Sequence, residues 1–540
     1  SSHLGSNGFH RSHSPSKPAS LALCARSRLA MRSSSRGLPA SLLLGLCLWL
    51  QRWASPWVFS LARGPRGAGA PPAPQQQRVL TRREELEHVD RAVACMLLGS
   101  ISFVMGLFYL VNHRDEDIRR YSWEVLSTTL AIFTSVLIFQ GMDGILVHFI
   151  LQCLCPHGAS ERHLDILVVS TVHFLIWFVA LHVVVARMAF VMATTCNKED
   201  EKEVEAWERG LKCWATLLSH MTAFAAIAAW CDVQHIPVFA RSPLAAAAPV
   251  VLYTGVLFAL FRFTGFLRNR VFSKEGLEDP ILVWEEEAEE GENDLAAISI
   301  SFLTVYVVRY AISGVMGDQK GPDVADGRAA LLNVPALVAA SFFFLAVMFS
   351  VVRFILARRV RRAVNENDEV PTWHSWKGFD SMQRYRMRWG YIILDAAGMS
   401  FAWCLLYASK WTVVHLSHVL ALPLAQTETI GGICVALCTS VLACLMVFGI
   451  NWICDQRQLH EVMRKQFRTI IRCLGLLIGF AWEQSFDSGV EAVAMLAEPM
   501  GTWPPLLAKF FLACVVAVVV IPAWKLHILK TVMAVRSQGS

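Results

Sequence analysis

Three acids within one hydrophobic stretch are the residues best placed to do chemistry. Glu483, Asp487 and Glu491 recur at i, i+4 and i+8 inside Thr469–Leu496, so a helix there carries all three on one face. Carboxylates spaced in this way sit about 6 Å apart. In a low dielectric they repel, and the group takes up a proton or attracts a cation. An ionisable side chain in hydrocarbon costs a few kcal/mol and calls for a partner or for water. Arg309, in Thr304-Val-Tyr-Val-Val-Arg-Tyr, is estimated on the order of 20 Å inside its own stretch and is the expected partner of the triplet. Asp395, Asp143 and His220 are further misplaced polar groups, with His173 and His182 beside them. Together they suit an ion or proton site on a polar path. The plainer reading is interhelical hydrogen bonding, about 0.6 kcal/mol for each contact.

Other chemistries find no support. The sequence has no C-x-x-C or H-E-x-x-H spacing for a metal and no nucleotide or nucleophile motif. No cofactor or metal is expected, and no catalytic residue is assigned. A formal charge of +6 without a long basic run offers nothing to nucleic acid. The fifteen cysteines lie mostly in apolar runs, where cysteine acts as a small hydrophobe. A disulfide from Cys153 or Cys155 to Cys231 is the one pairing the expected topology allows, since C-x-C neighbours rarely bridge each other.

The elements that must position these groups are membrane helices. The chain is 55% hydrophobic and 17% charged, with a mean hydropathy of +0.44, whereas soluble domains average about 25% charged. Eleven runs reach the roughly 20 residues that cross a bilayer. They are Ala92–Asn112, Trp123–Leu151, Leu164–Ala193, Trp207–Cys231, Pro243–Leu267, Leu295–Met316, Ala329–Leu356, Met387–Ser409, Thr427–Cys454, Thr469–Leu496 and Pro505–Leu529. The tenth is weakened by its own acids. The expected fold is an all-α polytopic transmembrane bundle of about eleven spans.

Loop charge sets the expected orientation. Alternate loops on one side hold Lys and Arg about four times as often as the others, which carry only Arg162, Arg241, Lys320, Arg328 and Lys410. The rich side, with Arg268, Arg358, Arg359, Arg361, Arg362 and Arg388 among its charges, is read as cytosolic. That places the mature N-terminus outside and the C-terminus in the cytosol.

Residues 1–83 contain no Asp or Glu. Within them Met31-Arg-Ser-Ser-Ser-Arg-Gly precedes the apolar core Leu38–Leu50, the pattern of a signal peptide. The acid-free basic segment that follows includes Phe59-Ser-Leu-Ala-Arg-Gly-Pro-Arg. A signal peptide with such a segment resembles the bipartite presequence of algae with complex plastids, which would imply a plastid membrane. A plain signal peptide or signal anchor with a linker fits the same residues.

The remainder divides into a first membrane half, 84–270, with spans one to five, and a second, 329–540, with spans seven to eleven. Between them, 271–328 reads as an acidic cytosolic loop plus a connector, the sixth span. Spans two to five and eight to eleven both begin at steps of about 40 residues, and Gln140-Gly-Met-Asp143 parallels Gln484-Ser-Phe-Asp487. This suggests two parallel pseudo-symmetric halves. The acidic run 285–294 is a candidate protein-partner site, or simply a solvated face. The leading functional reading is a transporter or channel for a small solute or ion. A membrane scaffold is second and an intramembrane enzyme third.

Overall fold

Long apolar runs have one backbone solution in lipid. Without water to bond exposed amides, each segment must satisfy its own N–H and C=O groups, and the α-helix does so. The computed structural model describes residues 74–154, 162–195, 200–271, 278–317, 327–351, 381–419, 428–456, 461–495, 497 and 503–538, and every regular element among them is helical. The helices are α1 (Pro74–Val111), α2 (Glu116–Leu154), α3 (Arg162–Thr195), α4 (Glu201–His235), α5 (Pro243–Val271), α6 (Glu278–Ser313), α7 (Gly327–Val351), α8 (Ser381–Val419), α9 (Glu428–Gln456), α10 (Glu461–Met495) and α11 (Trp503–Ala523). A π-helical turn, Trp524–Ile528, carries α11 into α12 (Leu529–Gln538). Ten of these helices are long and apolar enough to cross a membrane. Like them in length, α10 is set apart by its internal charges. The chain is a polytopic all-α membrane bundle. The signal-peptide core Leu38–Leu50 and the arginine cluster at 358–362 lie outside the described residues.

Burial alternates along the chain. In α2, α4, α6 and α8, 61–78% of the most apolar stretch is buried, against 6–44% in α1, α3, α5, α7, α9 and α11. Buried without break from Ile470 to Trp482, Arg472 apart, α10 belongs with the first group. The contacts explain the alternation. The second helix packs on α4, α4 on α6, α6 on α8, α8 on α10 and α10 back on α2. The even-numbered helices therefore close a ring of five. The odd ones lie outside it: α3 against α4 and α6, α7 against α8 and α6, α9 against α10 and α8, α11 against α2 and α10.

Two sequence expectations change here. The sixth span, read as an odd connector, is a full member of the ring. The acidic run 285–294, read as a loop, is helical and forms the early turns of α6. Its Glu289 and Glu292 are buried, so the run is not a uniformly solvated face.

Small residues close the ring at α2 and α10. Gly475-Leu-Leu-Ile-Gly479 has the spacing that lets helix backbones approach closely. Thr129 Oγ1 of α2 donates to the Gly475 carbonyl at 3.2 Å. A Cβ at Gly479 would lie 3.0 Å from the Thr129 Cα and 3.1 Å from its carbonyl oxygen. Both obstacles are backbone, so no rotamer change relieves them. Gly479→Leu is expected to destabilise the protein by about 2 kcal/mol, the scale of an overpacked core. Gly449→Leu, which meets nothing within 4 Å, is expected to be silent. Thermal unfolding in detergent compares the two, and equal midpoints would refute the close α2–α10 approach.

Candidate functional site

Antiparallel neighbours bring the C-terminal ends of α2, α4, α6, α8 and α10 to one end of the ring, together with the N-terminal ends of α3, α5 and α11. This end is called distal and the opposite one proximal. A cavity of about 340 Å³ lies on the distal side between α2, α4, α6, α10 and α11. Gln140 and Asp143 of α2, Glu491 of α10 and Lys509 of α11 supply its polar lining; Phe139, Phe224, Phe302 and Phe480 are among its apolar walls. Close helix approach shapes it. A Cβ on Gly141 would stand 3.3 Å from Ala513 Cβ and 3.3 Å from Phe510 Cα, so glycine at 141 lets α11 lie against α2.

Two of the charged groups at the cavity, Lys509 and Asp143, have close partners. Lys509 Nζ meets Asp487 Oδ1 at 2.7 Å, with both side chains largely buried. Asp143 is 37% exposed and lies 3.0 Å from Nδ1 of the buried His173. The Trp177 indole N–H donates to His173 Nε2 at 2.6 Å. Nε2 is therefore an acceptor, which leaves the ring proton on Nδ1 to be donated to Asp143. Phe139 stacks on the same imidazole, centroids 5.0 Å apart at 14°. Asp143 is thus held from behind by an oriented donor. Asp232 of α4 accepts from Ser170 of α3 at 2.7 Å, which ties the neighbouring outer helix to the same end.

Below the cavity the axis is filled by aromatic rings. Phe224 and Phe480 stack at 5.8 Å and 7°, Trp403 meets Phe480 edge-on at 4.6 Å, and Phe302 meets Trp403 at 5.1 Å and 90°. The Trp403 indole N–H is satisfied by Ser301 Oγ at 3.1 Å. Beside this layer only about 10 Å³ of space remains, among Ile298, Met399, Ala402, Trp403, Leu476 and Leu477, at the threshold for a single water.

On the proximal side charge returns. Asp294, Asp395 and Arg472 each stand eight residues before Phe302, Trp403 and Phe480, about 12 Å along their helices. Arg472 is exposed between buried Ile471 and Cys473, and its charged neighbours are Asp395, Glu124, Asp294 and Glu290. Those carboxylates come from α2, α6 and α8, so Arg472 faces the axis rather than lipid. Lys212 of α4 reaches Glu290 at 3.2 Å. The axis therefore runs from a charged proximal level through a packed aromatic layer to a distal cavity.

A second polar cluster lies off the axis. Fully buried, Glu292 of α6 receives Arg268 of α5 at 2.7 Å, Arg388 of α8 at 2.6 Å and Thr264 Oγ1 at 2.7 Å. His182 of α3 stands 3.5 Å away, and Glu289 lies 3.5 Å from Arg268 and 3.7 Å from Arg388. Arg388 also donates to Asn293 Oδ1 at 2.6 Å. Two cations and two anions balance in one node that joins ring helices to outer ones. Arg268 and Arg388, counted with the loops from sequence, are thus packed inside the bundle.

The candidate residues separate into groups. Asp143 and Glu491 line the distal cavity, and Asp487 adjoins it through Lys509. Glu483 is completely buried one turn before Asp487. Arg309 is 1% exposed, its guanidinium 3.6 Å from the Tyr407 ring centroid and 5.4 Å from that of Tyr306. Asp395 is at the proximal level. His220 is buried on α4 beside the Ala131 backbone of α2, at a contact between helices rather than in the lining of the cavity. Of the cysteines in the expected disulfide, Cys231 is buried, while Cys155 and the side chain of Cys153 fall outside the described residues.

The sequence reading missed Lys509, Glu292 and the aromatic layer. Lys509 was detectable as a lone cation in Leu506-Leu-Ala-Lys-Phe-Phe. Glu292 was hidden because a dense acidic run looks solvated. The aromatic residues carry no signal of their own, since Phe and Trp are common throughout such spans. No family model matches the chain, and no curated protein or solved structure was found to be similar to it.

Proposed function

We propose that the protein is a transporter or channel that moves a small solute along the axis of the five-helix ring. The observation that carries this reading is the order along that axis: charged groups, a packed aromatic layer, then a polar cavity. A scaffold needs no cavity lined by four of its innermost helices, and it gains nothing from aligning charges on both sides of a plug. In this reading the aromatic layer is a closed gate. The bias of positive loop charge makes the distal end exoplasmic and the proximal end cytosolic, reached through the secretory pathway. The scaffold reading rests on two features, the charged segment 358–388, most of which lies outside the described residues, and the acidic run at 285–294, whose Glu289, Glu290 and Glu292 are engaged within the chain.

Opening the gate by mutation tests the reading without knowledge of the natural solute. Truncating a buried Phe or Trp to Ala costs about 3–5 kcal/mol of packing. A form with the rings apart has already lost part of that packing. If the closed form loses about 1.4 kcal/mol more than the open one, the open population rises about tenfold. Phe480→Ala and Trp403→Ala are therefore expected to make proteoliposomes leak small ions and solutes about tenfold faster than wild type. Phe342→Ala, an exposed position on the outer helix α7, is expected to leave them tight. If both gate variants stay as tight as protein-free vesicles while folded by thermal unfolding, the transport reading fails.

A further inference from the structure

The distal cavity combines two features that select a ligand class. Its floor and walls are aromatic: Phe139, Phe224, Phe302 and Phe480. Its charged lining is Asp143, Glu491 and Lys509, and Lys509 is already paired with Asp487 at 2.7 Å. The pair is neutral as a unit, which leaves two carboxylates facing an aromatic chamber. Asp143 is held by His173 through Oδ1, so its other oxygen is available to a ligand.

We infer that this cavity binds a small organic cation, an amine or quaternary ammonium with an apolar body. The inference rests on the transport reading for its purpose but not for its chemistry. Aromatic faces attract cations through their quadrupoles, most strongly where water is excluded. Carboxylates at the mouth supply the long-range attraction and the sign preference. A volume of about 340 Å³ lies at the lower end of the range for small-molecule sites, which suits a compact ligand. Inorganic cations fit less well. A hard ion of the calcium type takes six or more oxygen ligands, and among the described residues no three His, Cys, Asp or Glu groups come together as a metal would require. Anions meet two uncompensated carboxylates and are rejected.

The test uses purified full-length protein in detergent and radiolabelled tetraethylammonium as the probe. Saturable binding is expected, with benzoate failing to compete. Asp143→Asn and Glu491→Gln are each expected to weaken binding about tenfold, and Phe302→Leu by a smaller factor. Phe342→Ala, on the outer helix α7, is expected to leave binding unchanged. Three results would overturn the inference: no saturable binding, binding insensitive to both carboxylate variants, or a site that prefers Na⁺ or Ca²⁺ to tetraethylammonium. The two readings fail separately. Binding that follows this pattern in a protein whose gate variants never leak sustains the cation site and removes transport.

Discussion

Replacing Glu292 with alanine is expected to cost about 3–5 kcal/mol, because it leaves two buried guanidinium groups without their shared counter-ion. Arg268 and Arg388 approach Glu292 at 2.7 and 2.6 Å, and Glu289, their other acid, stands farther away at 3.5 and 3.7 Å. Glu289 and the more distant Glu285 then face two largely buried cations without a close counter-ion. Glu292→Gln keeps the shape and one acceptor but not the charge, so a smaller loss is expected. The triple variant Glu292→Met, Arg268→Met, Arg388→Met removes all three charges and should recover most of the stability lost in Glu292→Ala, as apolar replacement of buried ionic clusters often does. Thermal unfolding in detergent, with membrane accumulation as a second reading, measures all three. A Glu292→Ala protein as stable as wild type would mean that Glu289 alone balances the node. A triple variant no better than the single would mean that the cost is packing rather than charge.

The membrane architecture was legible in the residues because its cause is local. A run of about 20 apolar residues has to be a helix in lipid, and each of the eleven runs is one. The ring was not legible. Which helix turns inward depends on pairings between distant segments, such as Gly475 and Gly479 against Thr129, and hydropathy carries no trace of a partner. One hint was present. Asp143, Arg309, Asp395 and Glu483 lie in the ring helices α2, α6, α8 and α10, although the outer helices α3, α5 and α11 also hold Arg187, Arg262 and Lys509. A span that keeps an ionisable group must hide it from lipid, so such a group marks the helix face that turns inward, but charge content alone does not separate ring helices from outer ones.

The reading of 285–294 shows the converse error. Consecutive acids look solvated when counted, but spacing matters more than number. Glu289 and Glu292 are i, i+3 on a helix and share one face, and that face meets Arg268 and Arg388. Glu285, one turn earlier, acts on Arg268 from the same face, while Glu290 turns toward Lys212 at 3.2 Å. Arg268 and Arg388 sit near the ends of their apolar runs, so the sequence alone places them with the loops. Two end-of-span cations and an acidic stretch, taken separately, resemble a cytosolic surface; only their convergence makes a buried node.

Lys509→Ala is expected to do two opposite things, and the opposition makes it informative. Asp487 and Lys509 pair at 2.7 Å with side-chain exposures of 5% and 18%. Breaking the pair leaves a largely buried carboxylate and should cost about 3 kcal/mol, the lower end for a buried pair because Lys509 keeps some access to water. Asp487→Asn combined with Lys509→Met removes both charges and should recover at least half of that loss. Strict additivity of the single variants would show that the two side chains do not couple. At the cavity the sign reverses. Freed from Lys509, Asp487 adds a third negative charge beside Asp143 and Glu491. An extra unit charge about 4 Å away is worth about 1 kcal/mol in water and more where water is excluded. Lys509→Ala should therefore bind tetraethylammonium about fivefold more tightly than wild type while unfolding at a lower temperature. The double variant should return binding to near the wild-type level, since its two changes cancel in charge. A purely structural role for Lys509 predicts weaker binding in step with lower stability. Joint loss of both in Lys509→Ala would reject the electrostatic account of the cavity and leave the pair as a clasp between α10 and α11.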